Sequence, residues 1–109
     1  NRIDALDPIN GWLKSADVSE PFPLELFSPG MCNMNGTLVV AGGMVGRTEL
    51  RSEIYFLPQG EKKWQKNAVP VSTPVMFPEL FPVDGKHVRI LGGHGLPDPL
   101  GLNEIVKIG

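Results

Sequence analysis

The sequence predicts an all-β fold assembled from repeated antiparallel units. Two segments, Asn35–Gly43 and Asp84–Gly93, each read as a turn, a short strand with β-branched residues and a pair of glycines. The two glycine pairs lie 50 positions apart, a spacing that is typical of repeat proteins. The 109 residues include 13 glycines and 11 prolines, spread among short apolar runs. This distribution favours many turns over long helices.

Each unit is predicted to contain four strands, and residues 28–71 form the one complete unit. Its first strand precedes the Asn35-Gly36 turn, and its second leads into Gly42-Gly43. The third strand ends at Pro58, and the fourth begins at Trp64. Residues 1–27 are predicted to end one unit and link it to the next, and residues 72–109 to supply the first three strands of another. The residues expected to fix the turns and the packing are Gly36, Gly42, Gly43, Trp12, Trp64, Gly85, Gly92 and Gly93.

The earlier and later copies keep the same spacing. Ile3–Pro8 is an earlier copy of the third strand, because Pro8 lies 50 positions before Pro58. Asn103–Ile108 begins a third copy of this strand. A four-stranded antiparallel unit with this period is typical of a β-propeller blade. A blade exposes both faces unless neighbouring blades cover them. One complete four-stranded blade with parts of two neighbours therefore predicts a partial β-propeller, a fragment of a protein with about four to eight blades.

Charge and composition exclude two classes of partner. The net charge is −2, and no basic run is longer than Lys62-Lys63, so no surface for nucleic acid is indicated. The longest apolar runs, of about five residues, are far shorter than the roughly 20 that span a bilayer. We therefore expect neither nucleic-acid binding nor membrane insertion. The single cysteine, Cys32, weighs against a disulfide-stapled module.

The repeat resembles the kelch repeat over nearly the whole chain. The segment Phe27-Ser28-Pro29-Gly30, followed by the Asn35-Gly36 turn and a strand that ends in two glycines, is similar to a motif of the galactose oxidase and glyoxal oxidase family. That family's motif reads Phe-Cys-Pro-Gly or Phe-Cys-Ser-Gly. The resemblance implies a kelch-type propeller. In the family, one copper and a tyrosine joined by a thioether to the motif cysteine oxidise an alcohol or aldehyde and reduce oxygen to peroxide.

The two cofactor positions differ from the family pattern. Ser28 stands at the position of the cysteine, and Met76, eight positions before Asp84, stands at that of the tyrosine. Serine cannot form a thioether and methionine cannot carry a phenoxyl radical. Cys32 lies four residues too late, and Tyr55 belongs to another predicted strand. We therefore expect no catalytic residue, no metal ligand and no cofactor in this segment.

The leading functional hypothesis is a non-catalytic galactose-oxidase-like propeller segment that serves as a binding or structural module. We expect a larger extracellular or cell-surface assembly, with the rest of the propeller, a protein or a glycan as partner. Two alternatives stay open. One is part of an active copper-radical oxidase, the only case in which copper is expected. The other is an intracellular, cytoplasmic kelch adaptor for protein–protein interaction.

Four sulfur-containing residues lie close together in the sequence, namely Met31, Cys32, Met34 and Met44. Thioether and thiolate groups are ligands for Cu(I), so a soft-metal site is one interpretation. Strand alternation separates these residues between the two faces of a strand, and methionine commonly fills gaps in cores. Core packing is the favoured interpretation.

Four further features have a structural interpretation that outweighs a functional one. His87 and His94 are single histidines, whereas a metal site needs three or four ligands. The run Glu61–Lys66 mixes basic and aromatic residues, but a hairpin tip followed by an edge strand explains it. Trp12 and Trp64 are interpreted as residues that pack between blades. Thr48–Ser52 is interpreted most simply as a charged loop, with contact to a partner as the alternative.

Overall fold

The computed structural model describes residues 26–45, 49–95 and 99–109, and in these ranges the protein is all-β, as predicted. No helix in the described part of the chain is long and apolar enough to cross a membrane. The predicted strand Ile3–Pro8 and Trp12 lie outside the described residues. The strands are β1 Leu26–Phe27, β2 Gly30–Met34, β3 Thr37–Ala41, β4 Met44–Val45, β5 Glu49–Leu50, β6 Ile54–Leu57, β7 Gln65–Lys66, β8 Met76–Pro82, β9 His87–His94 and β10 Pro99–Lys107.

Four consecutive segments form a four-stranded antiparallel sheet in the order β2-β3-β6-β7. The order follows the chain without a crossover, except that the β3–β6 connection contains β4 and β5. These segments coincide with the four strands predicted within residues 28–71. The last strand, β7, begins directly after Trp64.

The second sheet has three antiparallel strands in the order β8-β9-β10. Strand β9 continues through Gly92 and Gly93 to His94, and β10 begins at Pro99, earlier than the predicted Asn103–Ile108. A third, small sheet has the order β1-β4-β5. It includes Glu49–Leu50, so the prediction of a loop there was wrong in part: Leu50 pairs with Met44 and Glu49 with Val45.

The two predicted turns have different conformations. Asn35 and Gly36 have φ angles of 55° and 98°, the positive values expected for a two-residue turn, and Asn33 Oδ1 accepts a hydrogen bond from Gly36 N at 2.7 Å. The same expectation for Asp84-Gly85 was wrong, because Gly85 has no positive φ. The connection there is four residues long, and Asp84 Oδ1 accepts hydrogen bonds from Lys86 N and His87 N. A side-chain acceptor thus shapes the longer loop.

The two glycine pairs have nearly the same backbone conformation. The φ angles are 68° and 99° at Gly42 and Gly43, and 69° and 90° at Gly92 and Gly93. A Cβ at Gly42 would lie 2.5 Å from the carbonyl oxygen of Val75, which also accepts a hydrogen bond from Gly43 N at 2.7 Å. Glycine is therefore required at position 42 by both the left-handed conformation and the close approach of another chain segment.

The main core lies between the two larger sheets. One face of the four-stranded sheet packs on one face of the three-stranded sheet, and the connection between them contributes Val71 and Val75. Alternate residues of each strand point to opposite faces. The buried residues of this intersheet core are Met34, Val39, Ala41, Ile54, Phe56, Val71, Val75, Leu80, Val88, Ile90, Val106 and Ile108.

The opposite face of the four-stranded sheet is buried as well. Leu38, Val40, Leu57 and Trp64 form a second apolar cluster, and Met31, Val45 and Tyr55 pack against it. A sheet with one wet face would show polar residues at these positions. The four-stranded sheet is therefore an inner layer with apolar surface on both sides.

Candidate functional site

The two positions that the resemblance identifies as cofactor positions are neighbours in the fold. Phe77 N donates a hydrogen bond of 2.8 Å to the carbonyl oxygen of Ser28, so Ser28 lies beside Met76-Phe77. Met76 begins β8 and pairs with His94 at the end of β9. We name Ser28, Met76, Phe77 and His94 the Ser28–His94 cluster. The packing of the two sheets thus brings together residues that are almost 50 positions apart in the sequence.

Two residues of this cluster have strained backbone conformations. Ser28 has a φ of 55° and Phe77 one of 58°. A left-handed conformation is a genuine outlier for a bulky residue such as phenylalanine. Such strain costs on the order of 1–3 kcal/mol and is concentrated at functional sites. The cluster is therefore the strongest candidate site among the described residues.

The aromatic ring of Phe77 is available at the surface. The residue is 57% exposed, and its ring meets the imidazole of His94 edge to face, with 6.4 Å between the ring centroids and 83° between the ring planes. Aromatic pairs prefer this arrangement, which contributes about 0.5–1.5 kcal/mol beyond the area that it buries. The pair offers an apolar face with a polar imidazole edge to a ligand or partner.

The groups of the cluster do not supply the radical chemistry of the resembling family. A hydroxyl at Ser28 and a thioether at Met76 stand where that chemistry needs a thiol and a phenol. Phe77 places an aromatic ring beside these positions, but it has no phenolic oxygen. Among the described residues, no group of three or more histidine, cysteine, aspartate or glutamate side chains is arranged to hold a metal ion.

Cys32 and Tyr55 cannot replace the missing pair. Cys32 packs against the intersheet core, whereas Tyr55 packs against the second apolar cluster on the other face of the same sheet. The backbone of the four-stranded sheet therefore lies between the two side chains. Burial also raises the pKa of the Cys32 thiol from 9.0 to about 11, so the thiol is protonated at neutral pH.

The sulfur-containing residues do not converge. Met34 and Cys32 belong to the intersheet core, and Met31 packs on the opposite face of β2. Met44 lies in β4 of the small sheet and is half-buried. This placement agrees with the interpretation of these residues as packing residues rather than as a soft-metal site.

The two histidines lie at opposite ends of β9. His94 belongs to the Ser28–His94 cluster, while His87 begins the strand beside the loop and is half-buried. His87 Nδ1 lies 3.0 Å from Asp84 Oδ1. Hydrogen bonds from Lys86 N and His87 lower the pKa of the Asp84 carboxyl below its ordinary value. The histidines therefore do not form a pair, and the Asp84–His87 contact belongs to the hairpin loop.

Trp64 is buried and packs with Leu38, Val40 and Leu57, as expected of a packing residue. The preceding residues 61–63 are exposed, as the interpretation of a hairpin tip requires. Gly92, Gly93 and Trp12 were also expected to fix the turns and the packing. The two glycines lie within β9, and Trp12 lies outside the described residues.

Sequence reasoning identified a charged segment next to β5 but did not predict the ion pairs that Arg51 forms there. Arg51 contacts the carboxylates of Glu49 and Glu53, and Lys66 Nζ lies 3.6 Å from Glu53 Oε2. The hydrogen bond with Glu53 is the main cause that raises the pKa of Arg51. The alternation of charges at positions 49, 51 and 53 was the available signal, because residues two apart on an extended chain share a side.

Comparison with known proteins gives no assignment: no protein-family model matches the chain, and no curated protein matches it significantly.

Proposed function

We propose that the chain is a segment of a kelch-like β-propeller of the galactose oxidase type and acts as a non-catalytic binding or structural module. One observation carries this proposal. Ser28 and the Met76-Phe77 dipeptide are in direct hydrogen-bond contact, at the two positions where an oxidase of that type needs a cysteine and a tyrosine. The backbones at these two positions are therefore adjacent, while a hydroxyl and a thioether stand where the resembling family has a thiol and a phenol.

The arrangement of the sheets supports the propeller. The order β2-β3-β6 in one sheet matches β8-β9-β10 in the other. A glycine pair with similar φ angles directly follows β3 in the first and lies within β9 in the second. Among the described strands of the two sheets, β2 and β8 approach each other most closely. Neighbouring blades likewise converge at their innermost strands around a central channel. The burial of both faces of the four-stranded sheet is expected of a blade between two neighbours.

The surface of the Ser28–His94 cluster supports a binding role. Phe77 remains more than half exposed although its backbone is strained, and its ring is oriented by His94. A rigid exposed aromatic ring beside a polar group suits contact with a protein or a sugar. We propose an extracellular or cell-surface assembly as the setting, with such a partner bound through this end of the sheets.

Metal analysis and an oxygen-consumption assay of the intact protein test the proposal. The protein is incubated with Cu(II), desalted, and supplied with galactose, glyoxal or simple aldehydes under air. We expect no stoichiometric copper and no peroxide release. One copper per chain together with substrate-dependent peroxide would overturn the proposal and support the alternative of an active copper-radical oxidase. The Met76→Leu variant is the matched control: any activity that depends on this site would change in it.

The third hypothesis, an intracellular kelch adaptor, shares the fold but not the setting. A helical adaptor domain in the same polypeptide would support it. Secretion of the intact protein into the medium of expressing cells would contradict it and agree with the proposed setting.

A further inference from the structure

The turn between β2 and β3 carries a sequence pattern that the proposed module does not use. Of the six asparagines in the chain, only Asn35 is followed two positions later by a serine or threonine, namely Thr37. The residue between them is Gly36 and not proline. Asn-X-Ser/Thr with X other than proline is the acceptor sequence for N-linked glycosylation. The surroundings of Asn35 decide whether its side chain can carry a glycan.

Asn35 lies at the exposed tip of a hairpin. It is the first residue of the two-residue turn, and its φ of 55° lies in the left-handed region, which asparagine tolerates better than most residues. Thr37 is half-buried and begins β3 directly after the turn. A glycan on the Asn35 amide would therefore project from the surface and would not disturb the intersheet core.

The side chain of Asn35 is not needed to hold the turn. Asn33 Oδ1 accepts the hydrogen bond from Gly36 N, and no hydrogen bond joins the Asn35 amide to another described residue. In the corresponding loop of the three-stranded sheet, Asp84 itself accepts two backbone hydrogen bonds. The Asn35 amide can therefore be modified without the loss of a contact that shapes the turn.

The neighbours of the Asn35 amide leave room for a sugar. Nδ2 lies beside the adjacent β8–β9 loop, where a Cβ added to Gly85 would be 3.7 Å away, and glycine has no side chain there. Residues 83–86 of that loop are exposed, and Gln59, which lies beside Gly36, is exposed as well. The first sugar would thus lie over a polar and exposed part of the surface.

The hairpin tip and the Ser28–His94 cluster lie at opposite ends of the sheets. Ser28 precedes β2 and Asn35 follows it, while Met76 begins β8 and Asp84 follows the end of that strand. The five residues of β2 alone put roughly 17 Å between the two ends. A glycan on Asn35 would therefore leave the cluster open to a partner.

We propose that Asn35 is an N-glycosylation site and carries an oligosaccharide at the tip of the β2–β3 hairpin. In the oligosaccharyltransferase, Asn35 Nδ2 attacks the anomeric carbon of the first N-acetylglucosamine of a lipid-linked oligosaccharide pyrophosphate. An N–C bond forms and the C–O bond to the pyrophosphate breaks. The lipid pyrophosphate leaves with the electron pair, and Nδ2 gives one proton to the enzyme. The proposal rests on the extracellular or cell-surface setting proposed above, but not on the propeller or on the lack of a cofactor.

Peptide mass spectrometry of the intact protein produced in eukaryotic cells tests the proposal. Protein from cells and medium is digested with a peptide N-glycosidase in water labelled with heavy oxygen. The enzyme converts a glycosylated asparagine to aspartate that contains the heavy isotope, whereas earlier deamidation of the Asn35-Gly36 bond gives unlabelled aspartate. We expect a loss of mass on digestion and labelled aspartate at position 35. Recovery of position 35 as asparagine or as unlabelled aspartate would overturn the proposal.

Two variants at Thr37 give a matched control. Thr37→Ser keeps a hydroxyl two positions after Asn35 and should keep the glycan. Thr37→Val keeps the branched shape that suits β3, removes the hydroxyl and should lose the glycan. Both variants keep asparagine in the left-handed position of the turn, and circular dichroism verifies that they fold. Labelled aspartate in equal amount in Thr37→Val would come from deamidation during digestion and would contradict the assignment.

The location of the protein separates the failure of this proposal from the failure of the proposed function. Secreted protein with unmodified Asn35 would overturn the glycosylation and leave the proposed setting in place. Unmodified protein that stays in the cytosol would overturn both the glycosylation and the setting. The copper and oxygen assays decide the lack of oxidase chemistry in either case.

Discussion

Ser28 and Phe77 have matching φ angles of 55° and 58° and lie 49 positions apart, the same spacing as Asn35 and Asp84. The repeat is therefore encoded at single residues and not only in strand order. Around these positions, glycine is used where a neighbouring chain segment comes too close for a side chain. Gly42 is the clearest example because the atom it approaches is a backbone oxygen.

Gly42→Ala is predicted to destabilise the protein by about 2–4 kcal/mol. A positive φ disfavours alanine, and the new Cβ displaces the carbonyl of Val75, which then loses its hydrogen bond with Gly43 N. Urea unfolding followed by circular dichroism measures the change. The control is Gly101→Ala, where no atom lies within 4 Å of the added Cβ and φ is not left-handed. Equal effects in the two variants would contradict this account of Gly42.

Cys32 is predicted to react slowly with thiol reagents at pH 8, with a rate that increases about tenfold per pH unit toward pH 11. The folded state holds the thiol proton more tightly than the unfolded chain, whose pKa is near the ordinary value. The contribution of Cys32 to stability is therefore present below pH 9 and is lost as the pH rises from 9 to about 11. Cys32→Ala should lack this alkaline decrease. A reactive thiol at pH 8 would show that Cys32 is not buried against the core.

At the scale of elements, the connection from β7 to β8 joins the two larger sheets. Asn67 is buried; its Nδ2 donates hydrogen bonds to the carbonyl oxygens of Val69 and Lys107, and its Oδ1 accepts one from Gly109 N. The side chain thus links the end of the four-stranded sheet to the end of β10. Val71 and Val75, on the same connection, fill the intersheet core.

Asn67→Ala is predicted to cost about 2–4 kcal/mol, because it removes three partly buried hydrogen bonds of a buried side chain. The control is Ser72→Ala, which removes an exposed hydrogen bond to Glu104 on β10 and should cost less than about 1 kcal/mol. Thermal unfolding of both variants gives the comparison. A smaller loss of stability for Asn67→Ala than for Ser72→Ala would show that the buried amide does not hold the sheets together.

Local sequence signals predicted the elements that depend on nearby residues. The Asn35-Gly36 turn followed from the turn residues themselves, and the flanking strands from their β-branched residues. The two-residue turn predicted at Asp84-Gly85 was wrong, because the loop is longer and Asp84 accepts two backbone hydrogen bonds. Strand β5 was also missed: its pairing with Met44–Val45 depends on contacts that its own composition does not indicate.

The candidate site was predictable only in part. The resemblance identified Ser28 and Met76, but the backbone hydrogen bond between Ser28 and Phe77 depends on how two sheets stack, which no local pattern specifies. The contact of Phe77 with His94 depends on the register between β8 and β9, and the left-handed conformation of Phe77 runs against its residue type. The residues around Ser28 and Met76 could therefore be identified only from the structure.

At the scale of the whole molecule, the two larger sheets pack face to face around one core, and the four-stranded sheet is apolar on both of its faces. The closest approach of the two sheets is at β2 and β8, which is consistent with a radial arrangement. The central claim is thus that this chain is part of a propeller whose cofactor positions are occupied by Ser28 and Met76.

An experimental structure of the intact protein, by crystallography or electron cryomicroscopy, tests this claim most directly. We predict that the four-stranded and three-stranded sheets are consecutive blades around one axis, with β2 and β8 lining it and no copper beside Ser28 and Met76. A closed two-sheet sandwich with no further sheets around the same axis, or a copper ion coordinated at these two positions, would contradict the account.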